Sequence, residues 1–81
     1  MNVCVSQAMA TLTAAQCRAA RGLVDWTQER LGSEAEISPF TIRNFEGGKT
    51  QPNRATLNVL RRALERAGVE FADDGRGVRL K

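Results

Sequence analysis

The chain has 81 residues, 42% of them apolar and 26% charged, with 12 Lys and Arg against 9 Asp and Glu for a net charge of +3. This length allows one small domain that buries roughly 60–65% of the surface its unfolded form exposes; with only 5% aromatic residues, the core has to be aliphatic and alanine-rich, which favours closely packed helices. Two cysteines exclude a disulfide framework, the lack of His and of any Cys pair at ligand spacing excludes the common zinc sites, and no apolar run approaches the ~20 residues of a membrane span.

The positive excess is mild, so it permits a polyanionic partner without demanding one. The opening "MNVCVSQAMA" lacks the basic head and long apolar middle of a signal peptide, and Met9 is an alternative start. Residues 1–11 are expected to be a flexible lead-in. A first helix is predicted over about residues 14–24: Thr13 with Gln16 three residues later makes a capping box, and Cys17, Ala20 and Val24 fall at helical spacing. Gly22 weakens its end, and Cys17 reads as a small core residue.

Trp26 is expected to be a core residue covering the junction with a second helix of about two turns. That helix is capped by Thr27, carries Glu29 in its first turn, and turns Leu31 and Ala35 inward. A third helix spans 39–46, with Ser38 as N-cap, Pro39 at the first position, and Ile42 and Phe45 sharing a buried side. Only Glu36 and Ile37 lie before that cap, so the second and third helices meet at a sharp angle. After the turn-rich "GGKTQPN", Asn53 caps a fourth helix with Leu57, Leu60 and Leu64 as its apolar stripe and Gly68 just past its end. "VEF" and "VRL" alternate apolar and polar residues around "ADDGRG", which predicts an antiparallel hairpin over 69–71 and 78–80. A lone ribbon is marginal in water, so Val69, Phe71, Val78 and Leu80 need covering, either by the helices or by a second chain.

"TQERLGSEAEISPFTIRNFEGGKTQP" resembles the helix-turn-helix of the Xre/Cro-type transcriptional regulators, the family of the phage repressors. The pattern Thr-Gln-Glu-x-Leu-Ala, then Gly-hydrophobic-Ser, then Thr-Ile-x-x-x-Glu-x-Gly and a downstream Pro is met at Thr27, Gln28, Glu29, Leu31, Ile37, Ser38, Thr41, Ile42, Glu46, Gly48 and Pro52. The resemblance implies a mainly α fold: a four-helix Cro/repressor-like domain over 12–68, with the hairpin of 69–81 as an addition that is a candidate for dimerisation. Two departures stand out. Gly32 replaces the family's Ala at a helix contact, and Glu36 replaces the turn glycine, whose position commonly takes a left-handed backbone; a turn built differently is therefore an open alternative.

The resemblance also implies roles. The third helix would lie in the major groove with Pro39, Phe40, Arg43 and Asn44 at base edges. Asn pairs with adenine and Arg with guanine through two hydrogen bonds each, while Phe40 and Pro39 suit thymine methyl groups. The alternative for Phe40 is a core residue folded under the second helix, and for Arg43 a solvated or phosphate-bound charge. Gln28, Ser38, Thr41, Lys49, Thr50, Gln51 and Arg54 would flank the helix with phosphate contacts. Arg21 and Glu46 would form a buried ion pair, against the alternative of two solvated charges.

The function implied is a sequence-specific regulator that binds double-stranded DNA as a homodimer on an inverted repeat. It is expected to be bacterial or phage-encoded, cytoplasmic and nucleoid-associated, with no cofactor, metal, membrane or small-molecule effector. An antitoxin-type autorepressor and a protein-interaction adaptor that keeps the fold without binding DNA are the alternatives. Enzymatic activity is not expected: no nucleophile–base spacing occurs, and Gly47-Gly48-Lys49 lacks the flanking strand and downstream helix of a phosphate-binding loop.

Overall fold

A computed structural model describes residues 12–72 and 77–81. The lead-in 1–11, with Cys4 and Met9, and the centre of the hairpin turn, 73–76, lie outside the described residues. Four helices are followed by one antiparallel strand pair: α1 (Ala14–Val24), α2 (Gln28–Ala35), α3 (Pro39–Glu46), α4 (Arg54–Arg66), β1 (Val69–Phe71) and β2 (Val78–Leu80).

Each helix starts where a side chain takes up an orphan backbone N–H. Thr13 Oγ1 accepts from Gln16 N at 3.1 Å while Gln16 Oε1 accepts from Thr13 N at 3.1 Å, closing the capping box of α1. At the starts of α2, α3 and α4 the side chains of Thr27, Ser38 and Asn53 accept from Arg30 N, Phe40 N and Thr56 N, with Pro39 opening α3. Asp25, in the left-handed conformation at φ 60°, closes α1 by donating to Arg21 O and Gly22 O.

The core is built from Leu12, Cys17 and Ala20, from Leu31 and Ala35, from Ile42 and Phe45, and from Leu57, Leu60, Ala63 and Leu64, with Val69 closing it from the hairpin. The stripe of α4 packs on α2 and β1, and α1 packs on α3, α4 and both strands. Each fully buried leucine contributes about 1.5–3 kcal/mol of transfer free energy. Among the described residues no helix is long and apolar enough to cross a membrane.

In the hairpin Val69 pairs with Leu80, Glu70 with Arg79, and Phe71 with Val78. Opposed residues share a face, so the four apolar residues lie on one side and Glu70 and Arg79 on the other, joined by a 2.7 Å ion pair. Val69 is buried, and Phe71 and Val78 pack against the core. Gln16 Nε2 also donates to Gly77 O at 3.3 Å, tying α1 to the start of β2. Between the two possibilities for covering the ribbon, the helices of the same chain cover three of its four apolar residues; Leu80 departs from the expectation and stays 51% exposed.

Gly22 is an exposed helical residue, and a Cβ added there meets nothing within 4 Å. Gly22→Ala is therefore expected to stabilise the fold by about 0.5–1 kcal/mol, read as a raised urea midpoint with an unchanged m-value.

Candidate nucleic-acid interface

α2 and α3 are joined by Glu36, Ile37 and Ser38. Glu36 is left-handed (φ 59°, ψ 43°), so glutamate takes the backbone that a glycine would adopt without strain, at a cost of roughly 1 kcal/mol. The alternative of a turn without a left-handed residue is thereby set aside. The N–H groups of Glu36 and Ile37 both turn back to Gly32 O, the second at 2.9 Å. That return brings the chain so close to α2 that a Cβ on Gly32 would lie 2.6 Å from Ile37 O and 3.2 Å from Pro39 Cγ. Glycine at this position is required by space, not by its backbone angles.

Ser38 Oγ accepts from Phe40 N at 3.1 Å on an exposed side chain. Ile42 and Phe45 face the core, so the opposite side of α3 is open. Phe40 is 63% exposed, which overturns the alternative of a core residue folded under α2. Pro39, at the first helical position, is brought close to Gly32 of α2 by the tight return, while the phenyl ring of the next residue faces out. Arg43 is exposed, whereas Pro39, Thr41 and Asn44 are half-buried. Among the described residues neither Arg43 nor Lys49 has an ion-pair partner.

The far end of α3 is held by Glu46, which is only 4% exposed. Arg21 meets it with two parallel bonds, Nε to Oε2 at 2.8 Å and Nη2 to Oε1 at 2.7 Å, and its third nitrogen donates to Trp26 O at 2.9 Å. Cys17 Sγ donates to Oε2 at 3.0 Å and Gln28 Nε2 to Oε1 at 3.1 Å, while Arg18 donates to the Glu46 backbone carbonyl. The carboxylate thus ties α1 and α2 to the end of α3. Burial pushes its pKa up, but the bonds from Arg21, then Cys17 and Gln28, together with the Arg21 charge, hold it below the ordinary value. Burial first, then the Glu46 hydrogen bond, pushes the Cys17 thiol well up, so it stays protonated as a donor. The Glu46 hydrogen bond raises the pKa of Arg21 against the opposing effect of burial.

Trp26 is half-buried at the α1–α2 junction with the Arg30 guanidinium 5.0 Å over its ring, so it forms a rim of the core, not its centre. After α3 the chain folds back: Lys49 N and Thr50 N both donate to Asn44 O, at 2.9 and 3.4 Å. This sets Lys49, Thr50 and Gln51 exposed beside the end of α3, and Arg54 exposed at the first position of α4.

Of the residues singled out in the sequence, Ser38, Pro39, Phe40, Thr41, Arg43 and Asn44 share one short helix and its cap, and Lys49 and Thr50 are fastened to it through Asn44. Gln28 differs: its side-chain amide, assigned above to a phosphate, donates to Glu46. Cys17 and Arg18 were not singled out for this cluster. Their only signal is position, on the turn of α1 just before Arg21. No cluster of three or more potential metal-ligating residues occurs among the described residues. A scan against models of known protein families finds no match to this chain, and a search of curated proteins finds no relative.

Proposed function

We propose that this protein is a sequence-specific regulator of transcription that binds double-stranded DNA through a helix-turn-helix of Xre/Cro type, with α3 in the major groove. The observation that carries this reading is the division of α3: Ile42, Phe45 and Glu46 are locked inward while Phe40 and Arg43 stand exposed on a helix held at both ends. A rigid helix with outward polar and apolar readers is what base-edge recognition needs. Arg43, Asn44, Lys49 and Arg54 run against an adaptor that avoids DNA. One such domain reads only a few base pairs, so the working form is a homodimer on an inverted repeat.

Genome-wide mapping of bound DNA, followed by mobility shifts on the recovered site, tests the proposal. Lys49 and Arg54, doubled in a dimer, neutralise about four phosphates, so log K is expected to fall with log salt at a slope near −3.6 (about −0.9 per phosphate). Purified protein that ignores every duplex at low ionic strength removes the reading.

A further inference from the structure

We propose that Gly32 is a positioning residue for base recognition, and that its missing side chain sets how α3 presents Phe40; this inference rests on the DNA-binding reading above. The two ends of α3 are held by different means. At the C-terminal end Glu46 is clamped by Arg21, Cys17 and Gln28. At the N-terminal end there is no such clamp among the described residues. What locates it is the close return of Ile37 and Pro39 onto bare backbone at Gly32, together with the Ile37 side chain packed against the core.

The geometry makes this end sensitive. The virtual Cβ lies 2.6 Å from Ile37 O, where contacts of real Cβ atoms start at 3.0 Å and become ordinary at 3.4 Å. An alanine therefore has to push the turn away by about 0.4–0.8 Å, the difference between those distances. Backbone oxygen cannot swing aside as a flexible side chain does. With the Glu46 end pinned, the push turns α3 about that end, over a lever of about 9 Å from Phe40 at ~1.5 Å per residue. Phe40, near the free end, moves by nearly the full amount. Asn44, half a turn from the pivot and bonded to Lys49 and Thr50, moves least. Apolar contacts and hydrogen bonds weaken over a few tenths of an ångström.

The consequence is position-resolved. On the recovered operator, the base pairs that depend on Phe40 and on Asn44 are identified by the loss of their substitution penalties in Phe40→Ala and Asn44→Ala. In Gly32→Ala the penalties at the Phe40-dependent pairs are expected to fall from about tenfold to about twofold, while those at the Asn44-dependent pairs stay within about twofold of wild type. Leu64→Ala, a core truncation in α4, serves as a destabilised control and keeps the wild-type profile when measured well below its melting temperature.

If Gly32→Ala alone does not fold, Gly32→Ala/Glu36→Gly is read instead. Glycine at 36 lets the turn move aside and recovers folding, but it leaves α3 displaced, so the same selective loss is expected. A uniform loss at every base pair, or an unchanged profile in a folded variant, overturns the positioning role while leaving the DNA-binding reading in place. A wild-type protein that binds no duplex overturns both.

Discussion

Arg21→Met is expected to lower stability by about 3–5 kcal/mol near pH 7, because it leaves the Glu46 carboxylate, 3% exposed, without its bidentate partner. A chain of this length has a total stability of roughly 4–12 kcal/mol, so the loss removes a quarter or more of it and unfolds a large share of the protein only at the lower end of that range. Cys17 and Gln28 still donate to the carboxylate, but neither carries the charge that offsets burial.

The pH dependence of the two proteins should have opposite sign. In the wild type the folded pKa of Glu46 lies below its unfolded value near ~4.3. Its contribution is therefore present above that pH and is lost as pH falls through the folded value. In Arg21→Met burial is no longer offset, the folded pKa rises above the unfolded one, and stability falls as pH rises between the two. Urea melts from about pH 2.5 to 8 separate these cases, and a variant within 1 kcal/mol of wild type at pH 7 contradicts the assignment. Arg21→Met/Glu46→Leu, which removes both charges, is expected to recover much of the loss, less about 1–3 kcal/mol for the Cys17 and Gln28 donors left without an acceptor.

The parts of this fold that local chemistry controls were legible in the sequence. Thr13 with Gln16, Thr27, Ser38 and Asn53 placed the helix starts, because a cap acts on N–H groups two or three residues away. The period of two in "VEF" and "VRL" placed both strands and their apolar face. The same period could not say that Val69 is sealed while Leu80, directly opposite on that face, is half-open, since this depends on where α1 and α4 end against the ribbon.

Phe40 was ambiguous for a related reason. In an eight-residue helix, spacing alone does not separate a flank of the buried side from the open side, and the direction of its first turn is set by the return onto Gly32. The Glu46 cluster is least visible in the sequence. The Arg21 pairing came from the resemblance alone, and the bonds from Cys17, 29 residues away, and Gln28, 18 residues away, exist only once three helices have met.

Replacing both Arg43 and Asn44 by Ala should leave a folded protein that still holds DNA but no longer chooses among sites. Ala is the better helix former at both positions, and Arg43 is exposed with no ion-pair partner among the described residues, so the melting temperature should hold or rise. Each bidentate base contact discriminates by about 1–3 kcal/mol, so the pair accounts for roughly 2–6 kcal/mol per half-site. The affinity for the recovered operator should drop toward that for a scrambled duplex of equal length, while the salt slope, set by phosphate contacts, changes little.

Lys49→Ala should behave in the opposite way: operator and scrambled duplex weaken together, their ratio survives, and the slope flattens by about one per subunit. The single variants divide the two readings of Arg43. A reader loses the ratio, whereas a phosphate-bound charge follows Lys49. A double variant that keeps its full preference for the operator would place recognition elsewhere on the molecule and leave the open face of α3 without the role proposed for it.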